Sequence, residues 1–259
     1  MSSKKRQVRS VAHPATCLSE KRAQEAPSLS VIVFAFHEEE NIHAVLGELG
    51  AWLDEHEPDA ELVFVDDGSR DRTAEEAVKA LAHRTHIVLK HEINGGIGAA
   101  LKTGVRHAQG TWVTFLPADG QIEPDAIRTL REAQRAEGAE VVFSVYRQRD
   151  DGLHRKVFSF GMRALIRIIH GVGMQSDGPY LVRRTLFVPD ELPPDTFFLN
   201  FELPIRLLAK KIKSAVVTIE CRPRRAGTSK STQWKRIYGV AKDLVDLRKR
   251  RWKESLFGR

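Results

Sequence analysis

The chain has 259 residues, 42% hydrophobic and 29% charged, with a net charge of +7 and two cysteines. That length allows one full domain with appendages or two small ones, and the balance excludes collagen-like, mucin-like and wholly disordered classes. A disulfide framework is excluded by having only Cys17 and Cys221, so a reducing compartment is the simpler assumption.

Residues 1–27 read as a disordered basic leader carrying +4, rich in Ser and Ala and without periodicity. Val31–Phe36 is a continuous apolar run of strand length. It falls far short of the ~20 residues a spanning helix needs, so no membrane span is expected. No apolar stretch follows the basic N-terminus, so no secretory signal is expected either. Glu38–Leu53 predicts a helix and Leu62–Val65 a second buried strand. Asp71–Leu81 is a helix with Asp71 as its cap. His86–Leu89 is a strand, Gly98–Ala108 a helix, Thr111–Leu116 a strand, Pro124–Ala136 a helix and Glu140–Val145 a strand. This alternation argues an α/β fold: a mostly parallel sheet covered by helices on both faces, with ligands outside the carboxyl ends of the strands. After Arg147 the rhythm changes. Residues 155–172 predict an amphipathic helix with Phe158, Met162, Leu165, Ile169 and Val172 on one face and Lys156, Arg163, Arg167 and His170 opposite. A strand at Tyr180–Val182, a helix at Phe201–Lys210 and a strand at Ser214–Ile219 follow. The chain then reads as a basic loop, Arg222–Lys230, and a terminal helix over 234–253. Residues 235–259 carry +6, which leaves the body between the two ends at −3. Basic ends suit anionic surfaces, or serve as solubilising tails.

Three loops follow strands in this scheme. Asp66-Asp67-Gly68-Ser69 places two adjacent carboxylates at a strand end, costly unless they accept hydrogen bonds or meet a cation. It reads equally as a nucleoside-binding turn or a helix-capping acidic turn. Asp119 and Gln121, after Pro117, offer the hard oxygen ligands that Mg²⁺ or Mn²⁺ prefers, or form an ordinary turn. Arg222, Arg224, Arg225 and Lys230, beside Thr228 and Ser229, suit phosphate oxygens or form a solvated basic loop. Gly95-Gly96-Ile97-Gly98-Ala99-Ala100 departs from the dinucleotide fingerprint and follows the wrong strand, so it reads as a backbone turn opening a helix.

In order, Ser30–Ile42, Val65–Thr73, Asn94–Gly104, Ala118–Gln121, Phe201–Leu203 and Arg224–Lys230 resemble a family 2 glycosyltransferase of GT-A fold, nearest its polyprenyl-phosphate, dolichyl-phosphate mannose synthase-like branch. The resemblance implies a catalytic domain over 28–222, with the basic loop and amphipathic helix of 223–259 appended. It implies a GDP- or UDP-sugar donor held by Ala35, Glu38, Asp66, Asp67, Asn94, Lys102, Ala118 and Glu202. Glu202 would orient the sugar or a neighbouring arginine. Mg²⁺ or Mn²⁺ would sit on Asp119 and Gln121. Arg183, Arg184, Arg224, Ser229 and Lys230 would line the phosphates, and the catalytic set would be Asp119, Arg184, Arg224 and Asp177. The chain departs from the family at Pro117, where a second aspartate is usual, and at Phe36-His37. It departs again at Asp177-Gly178-Pro179-Tyr180, where the family's acceptor-side loop has a small residue and a cation.

The implied reaction is inverting sugar transfer, with metal and arginines stabilising the departing nucleoside diphosphate. A lipid phosphate acceptor is already anionic and needs no general base; a hydroxyl acceptor does, and Asp177 is the candidate. The expected partners are the donor and a lipid phosphate at a membrane surface, with no nucleic acid. The expected setting is cytoplasmic, peripheral to a membrane through the helices at 155–172 and 234–253. A soluble transferase acting on a hydroxyl, and a nucleotide-sugar binder without turnover, are the alternatives.

Overall fold

The computed structural model describes residues 14–21, 25–147, 153–192, 197–222 and 234–257. Its strands are β1 (Ala15–Lys21), β2 (Leu29–Ala35), β3 (Glu61–Asp66), β4 (His86–His91), β5 (Trp112–Pro117), β6 (Val141–Tyr146), β7 (Leu181–Arg183) and β8 (Ser214–Ile219). The helices are α1 (Ile42–His56), α2 (Thr73–Leu81), α3 (Ile97–His107), α4 (Asp125–Glu137), α5 (Leu153–His170), α6 (Leu199–Ala209) and α7 (Trp234–Phe257). One sheet runs in the order β1-β4-β3-β2-β5-β7-β6-β8. Strands β2 to β5 pair in parallel, as do β6 and β8. The predicted elements of the body appear within a few residues of their expected places.

Strand alternation divides the core between the two sheet faces. Val31, Val33, Leu62, Phe64 and Val88 point to the face covered by α1, α2 and α4. Ile32, Val63, Val65, Ile87 and Leu89 point to the other, with Ala100, Leu101 and Val105 of α3 and Leu203 and Leu207 of α6. Both faces being covered explains the unbroken apolar runs in the sequence.

Two strands run against the rest. β1 pairs antiparallel with β4, from Ala15↔His91 to Lys21↔His86. This corrects the expectation of a disordered leader over residues 1–27: residues 15–21 form the outer strand of the sheet. β7 lies antiparallel to both β5 and β6, with Arg183 opposite Trp112 and Val182 opposite Val113 and Val141. The chain therefore enters β7 at the carboxyl ends of its neighbours and leaves it at their amino ends.

The described apolar residues of α5 and α7 meet each other and α6. Leu244 and Leu247 are fully buried with Met162, Ile166, Met174, Phe198 and Ile205. The sequence leaves these stripes open to a membrane or to packing, and their described members Met162, Leu165, Ile169, Val240, Leu244 and Leu247 lie in a third core. Charge pins the same contact. The buried Glu202 carboxylate accepts from Arg206 Nε at 2.9 Å and from Arg250 Nη2 at 2.6 Å. His170 is buried too: Nε2 donates to the Leu244 carbonyl at 3.1 Å and Nδ1 accepts from Arg251 at 3.2 Å.

Burial, and after it the Arg251 charge, pushes the His170 pKa from 6.5 down to about 4. The unfolded histidine takes a proton below its ordinary pKa, and the folded one does so only near the depressed value. His170 thus contributes stability that is present above pH 6.5 and lost as the pH falls toward 4. His170→Gln, which cannot titrate, should reduce the drop in thermal midpoint between neutral and acidic buffer, as scanning calorimetry would read.

Candidate functional site

The carboxyl ends of β2, β3, β4 and β5 converge at one edge of the sheet. The loops after β2 and β3 are joined by backbone donors and side-chain hydroxyls. Asp67 N–H donates to the Ala35 carbonyl at 2.9 Å, His37 N–H to Ser69 Oγ at 2.9 Å, and Glu38 N–H to Thr73 Oγ1 at 2.9 Å. Thr73 in turn donates its N–H and hydroxyl to Asp71, whose carboxylate these bonds hold below its ordinary pKa although burial alone would raise it. On the other side, Ala118 N–H donates to the Phe34 carbonyl at 3.2 Å, which brings the loop after β5 against β2. Ala35, Glu38, Asp66, Asp67, Ala118 and Asp119 thus share one edge.

The two adjacent aspartates have different partners. Asp66 is fully buried. Its Oδ1 accepts the Ser69 N–H at 3.0 Å, and its Oδ2 lies 3.4 Å from Lys90 Nζ with no hydrogen-bond partner. Asp67 directs both oxygens to the next loop. Oδ1 accepts from Gly95 N–H at 2.9 Å and meets His91 Nδ1 at 2.8 Å, and Oδ2 accepts from Gly96 N–H at 2.8 Å. His91 continues to Thr103 Oγ1 at 2.9 Å. The glycine-rich turn is therefore a carboxylate-bound opening to α3, with Gly96 at φ 87° where a side chain is strained. Gly68, at φ 79°, lets the Ile93–Asn94 backbone approach within 2.6 Å of where a Cβ would stand. Asn94 itself is exposed, and Lys102, on α3, is 1% exposed.

The loop after β5 presents Asp119, 8% exposed, whose Oδ1 accepts the Gln121 N–H at 3.1 Å. Gln121 is bound to the end of the β8 segment: its carbonyl accepts Arg222 N–H at 2.8 Å, and its amide Nε2 donates to the Arg222 carbonyl at 3.4 Å. The Arg222 side chain bridges Glu123 at 2.5 Å and Glu48 at 2.7 Å. Those two carboxylates raise its pKa. Arg222 thus braces the Asp119 loop against α1. Among the described residues no three His, Cys, Asp or Glu side chains gather as a metal centre. One carboxylate and one amide oxygen fit a hard divalent cation whose remaining ligands come from a bound diphosphate.

The sheet direction corrects part of the expected site. Arg183 and Arg184 leave β7 beside the amino end of β5. Arg184 donates its N–H to Thr111 and its Nε to Gly110, each carbonyl accepting. Arg183 lies over the Trp112 ring, 5.1 Å from its centroid, with Glu140 3.5 Å away. At about 3.3 Å per residue, the length of β5 separates them from Asp119 by about 17 Å. They do not line a phosphate site at the carboxyl edge, and Arg184 leaves the catalytic set.

The segment before them does reach that edge. Asp177 and Gly178 donate their N–H groups to the Ser144 carbonyl, toward the carboxyl end of β6. Tyr180 packs against Phe115 and Phe143 between the strands. Asp177 pairs with Arg163 Nη1 of α5 at 3.1 Å. Arg163 puts a cation beside a loop whose sequence has none, and it was legible only as one member of a helix stripe. Glu202, expected to orient the sugar or a neighbouring arginine, is paired with Arg206 and Arg250. Arg224, Ser229 and Lys230 lie outside the described residues. His91 and Thr73 were missed as site residues, and Ser69 and Arg222 were read for a ligand and not for the contacts that join the loops. Their signal lay in spacing after a strand end for Ser69 and Thr73, and in no local pattern for the other two.

A family model described as Glycosyl transferase family 2 matches residues 30–185. The chain is 31% identical over 153 residues to an undecaprenyl-phosphate 4-deoxy-4-formamido-L-arabinose transferase of Pectobacterium carotovorum, covering 58% of this chain and 46% of that one. It is 30% identical over 159 residues to a dolichyl-phosphate beta-glucosyltransferase of Trichomonas vaginalis, covering 56% and 49%. The chain spans about half the length of these curated relatives. A crystal structure of Mycobacterium tuberculosis glucosyl-3-phosphoglycerate synthase with Mg²⁺ and uridine diphosphate superposes with a TM-score of 0.63 at 22% identity, covering 85% of this chain and 78% of that one. The superposition shows a shared fold.

Asp67→Ala should leave two glycine N–H groups and His91 without their acceptor. The expected loss is about 2–4 kcal/mol of unfolding free energy in urea titration, with the loss in Asp67→Asn smaller.

Proposed function

The chain belongs to glycosyl transferase family 2, and on that premise we propose that it moves a sugar, with inversion, from a nucleotide-sugar donor to a polyprenyl phosphate. The observation that carries the reading is a meeting of three loops at one sheet edge: Asp66–Ser69, Pro117–Gln121 and the Asp177 segment that enters β7. Two of them offer donor chemistry and the third brings a cation, Arg163, to the side left for an acceptor. Both curated relatives bear the name of a polyprenyl-phosphate sugar transferase.

Asp66 Oδ2, buried and without a hydrogen-bond donor, would accept from a base N–H or a ribose hydroxyl. Ala35 and Ala118, with small buried side chains, would leave room for the nucleoside between β2 and β5. Asp119 and Gln121 would hold Mg²⁺ or Mn²⁺. When bound, that cation would offset the negative charge that builds on the departing diphosphate. Arg222 would keep the Asp119 loop in place through its bridge to Glu48 and Glu123. Arg163 would pair with the acceptor phosphate as well as with Asp177. A phosphate monoester is ionised at neutral pH, so the chemistry asks no side chain to remove a proton. Asp177, ion-paired with Arg163, would then position that arginine instead of acting as a base. Arg224, Ser229 and Lys230 would complete the phosphate side as the family resemblance implies.

A turnover assay tests this. Purified protein would be offered a panel of GDP- and UDP-sugars with Mg²⁺ or Mn²⁺, with and without polyprenyl phosphate. Lipid-dependent release of nucleoside diphosphate is expected, and Asp119→Asn should lower it by at least about 100-fold. Donor binding without lipid-dependent release would overturn the acceptor assignment and favour a hydroxyl acceptor or a binding role.

A further inference from the structure

With Val240, Leu244 and Leu247 of α7 in the core, the opposite face of the helix is the informative one. Successive residues turn by about 100° in an α-helix. Leu244 and Leu247 mark the buried side. Lys242, Val245, Lys249, Trp252 and Lys253 share the outer side, all exposed, with Arg248 on its flank. Val245 and Trp252, seven residues apart, are 44% and 63% exposed. Among the described residues the outer face has one carboxylate neighbour, Asp246, 3.4 Å from Lys249. Asp243 and Arg250 lie on the flank turned toward α6, where Arg250 is bound to Glu202.

We propose that this outer face of α7 docks the protein on an anionic lipid surface. A tryptophan and a valine on one ridge, bordered by lysines on one side and Arg248 on the other, match the interfacial layer. The indole sits at headgroup depth with its ring apolar and its N–H wet. Each cation near a negatively charged leaflet adds attraction that salt screens. The exposed apolar residues are too few for a span, and no described helix is long and apolar enough to cross a membrane. The helix would therefore lie in the plane of the surface, held by insertion of Trp252 and Val245 together with charge. The buried face remains in the protein, so docking needs no unfolding of the α5–α6–α7 core. An oriented α7 would carry Glu202, through Arg250, into a fixed relation with the bilayer. The inference rests on the lipid-acceptor reading for its purpose and on the α7 side chains for its chemistry.

The experiment uses the full chain and co-sedimentation with two vesicle types: phosphatidylcholine alone, and phosphatidylcholine with about one third phosphatidylglycerol. A DNA duplex serves as a competing polyanion. Binding to the anionic vesicles, falling several-fold when salt is raised tenfold, is the expected result. Lys249→Glu with Lys253→Glu should lower that partitioning by at least about tenfold. Trp252→Ala should lower it severalfold and reduce the blue shift of tryptophan emission on binding. Because these side chains are exposed, the thermal midpoints should match the parent. If the double variant does not fold, Lys242→Gln with Lys249→Gln supplies the charge test. Equal binding to both vesicle types, parent-like binding by the folded variants, or binding to the duplex alone would overturn the proposal. Turnover on detergent-dispersed polyprenyl phosphate, which needs no bilayer, should be the same in parent and variants. Its absence in all of them would overturn the acceptor reading while the vesicle result still decides the surface.

Discussion

A buried carboxylate must be met by donors or a cation, and here two stand side by side at the end of a central strand. Much of the site follows from how that demand is met. Asp66 turns to Lys90 and the Ser69 N–H. Asp67 turns to the N–H groups of Gly95 and Gly96 and to His91. Satisfying Asp67 fixes the turn that opens α3, and the positive φ of Gly96 is the backbone form that lets those amides point back at it. Gly68 permits the close approach of the same turn. The acidic end of β3 therefore organises its neighbours before any ligand arrives, and leaves one oxygen of Asp66 without a hydrogen bond.

The second organising feature is a set of long-range ion pairs that hold peripheral pieces to this edge. Arg222 fastens the end of the β8 segment to α1 and to the loop of Asp119. Arg250 and Arg206 converge on Glu202, so the terminal helix and α6 share one buried charge. The Glu202 pairs are weak sources of net stability but costly to break singly, because the carboxylate would be left buried, whereas the Arg222 bridges are partly exposed. Their effect is geometric: loops at the site are tied to helices far away in sequence.

The parallel body was legible because both its faces are covered, and doubly covered strands are written as unbroken apolar runs such as Val31–Phe36. The strand-end loops were legible for the same reason, since the ends of such runs are sharp. Three things were not. β1, Ala-Thr-Cys-Leu-Ser-Glu-Lys, is held by backbone pairing at the sheet margin and carries no apolar rhythm. The direction of β7 cannot be read from its composition, and direction alone decides that Asp177 lies at the site while Arg183 and Arg184 lie at the far end. The partners of Arg222 come from residues 48 and 123, and no local spacing links them to a basic run. Amphipathicity at 234–253 was visible, but a stripe that fits a membrane equally fits a neighbouring helix, and the core took Val240, Leu244 and Leu247.

The marginal strand carries a consequence for the solubility of the protein. β4 is Ile-Val-Leu in its middle, and without a cover its outer edge would be a flat, apolar template for strand addition by another chain. β1 occupies that edge with Thr16, Ser19, Glu20 and Lys21, and its pairing with β4 is irregular between Cys17 and Ser19. β1 is thus a polar rim over the edge of β4 that would otherwise be open to strand addition. A chain trimmed to begin at the first apolar strand would keep every residue of the site and lose its protection against aggregation.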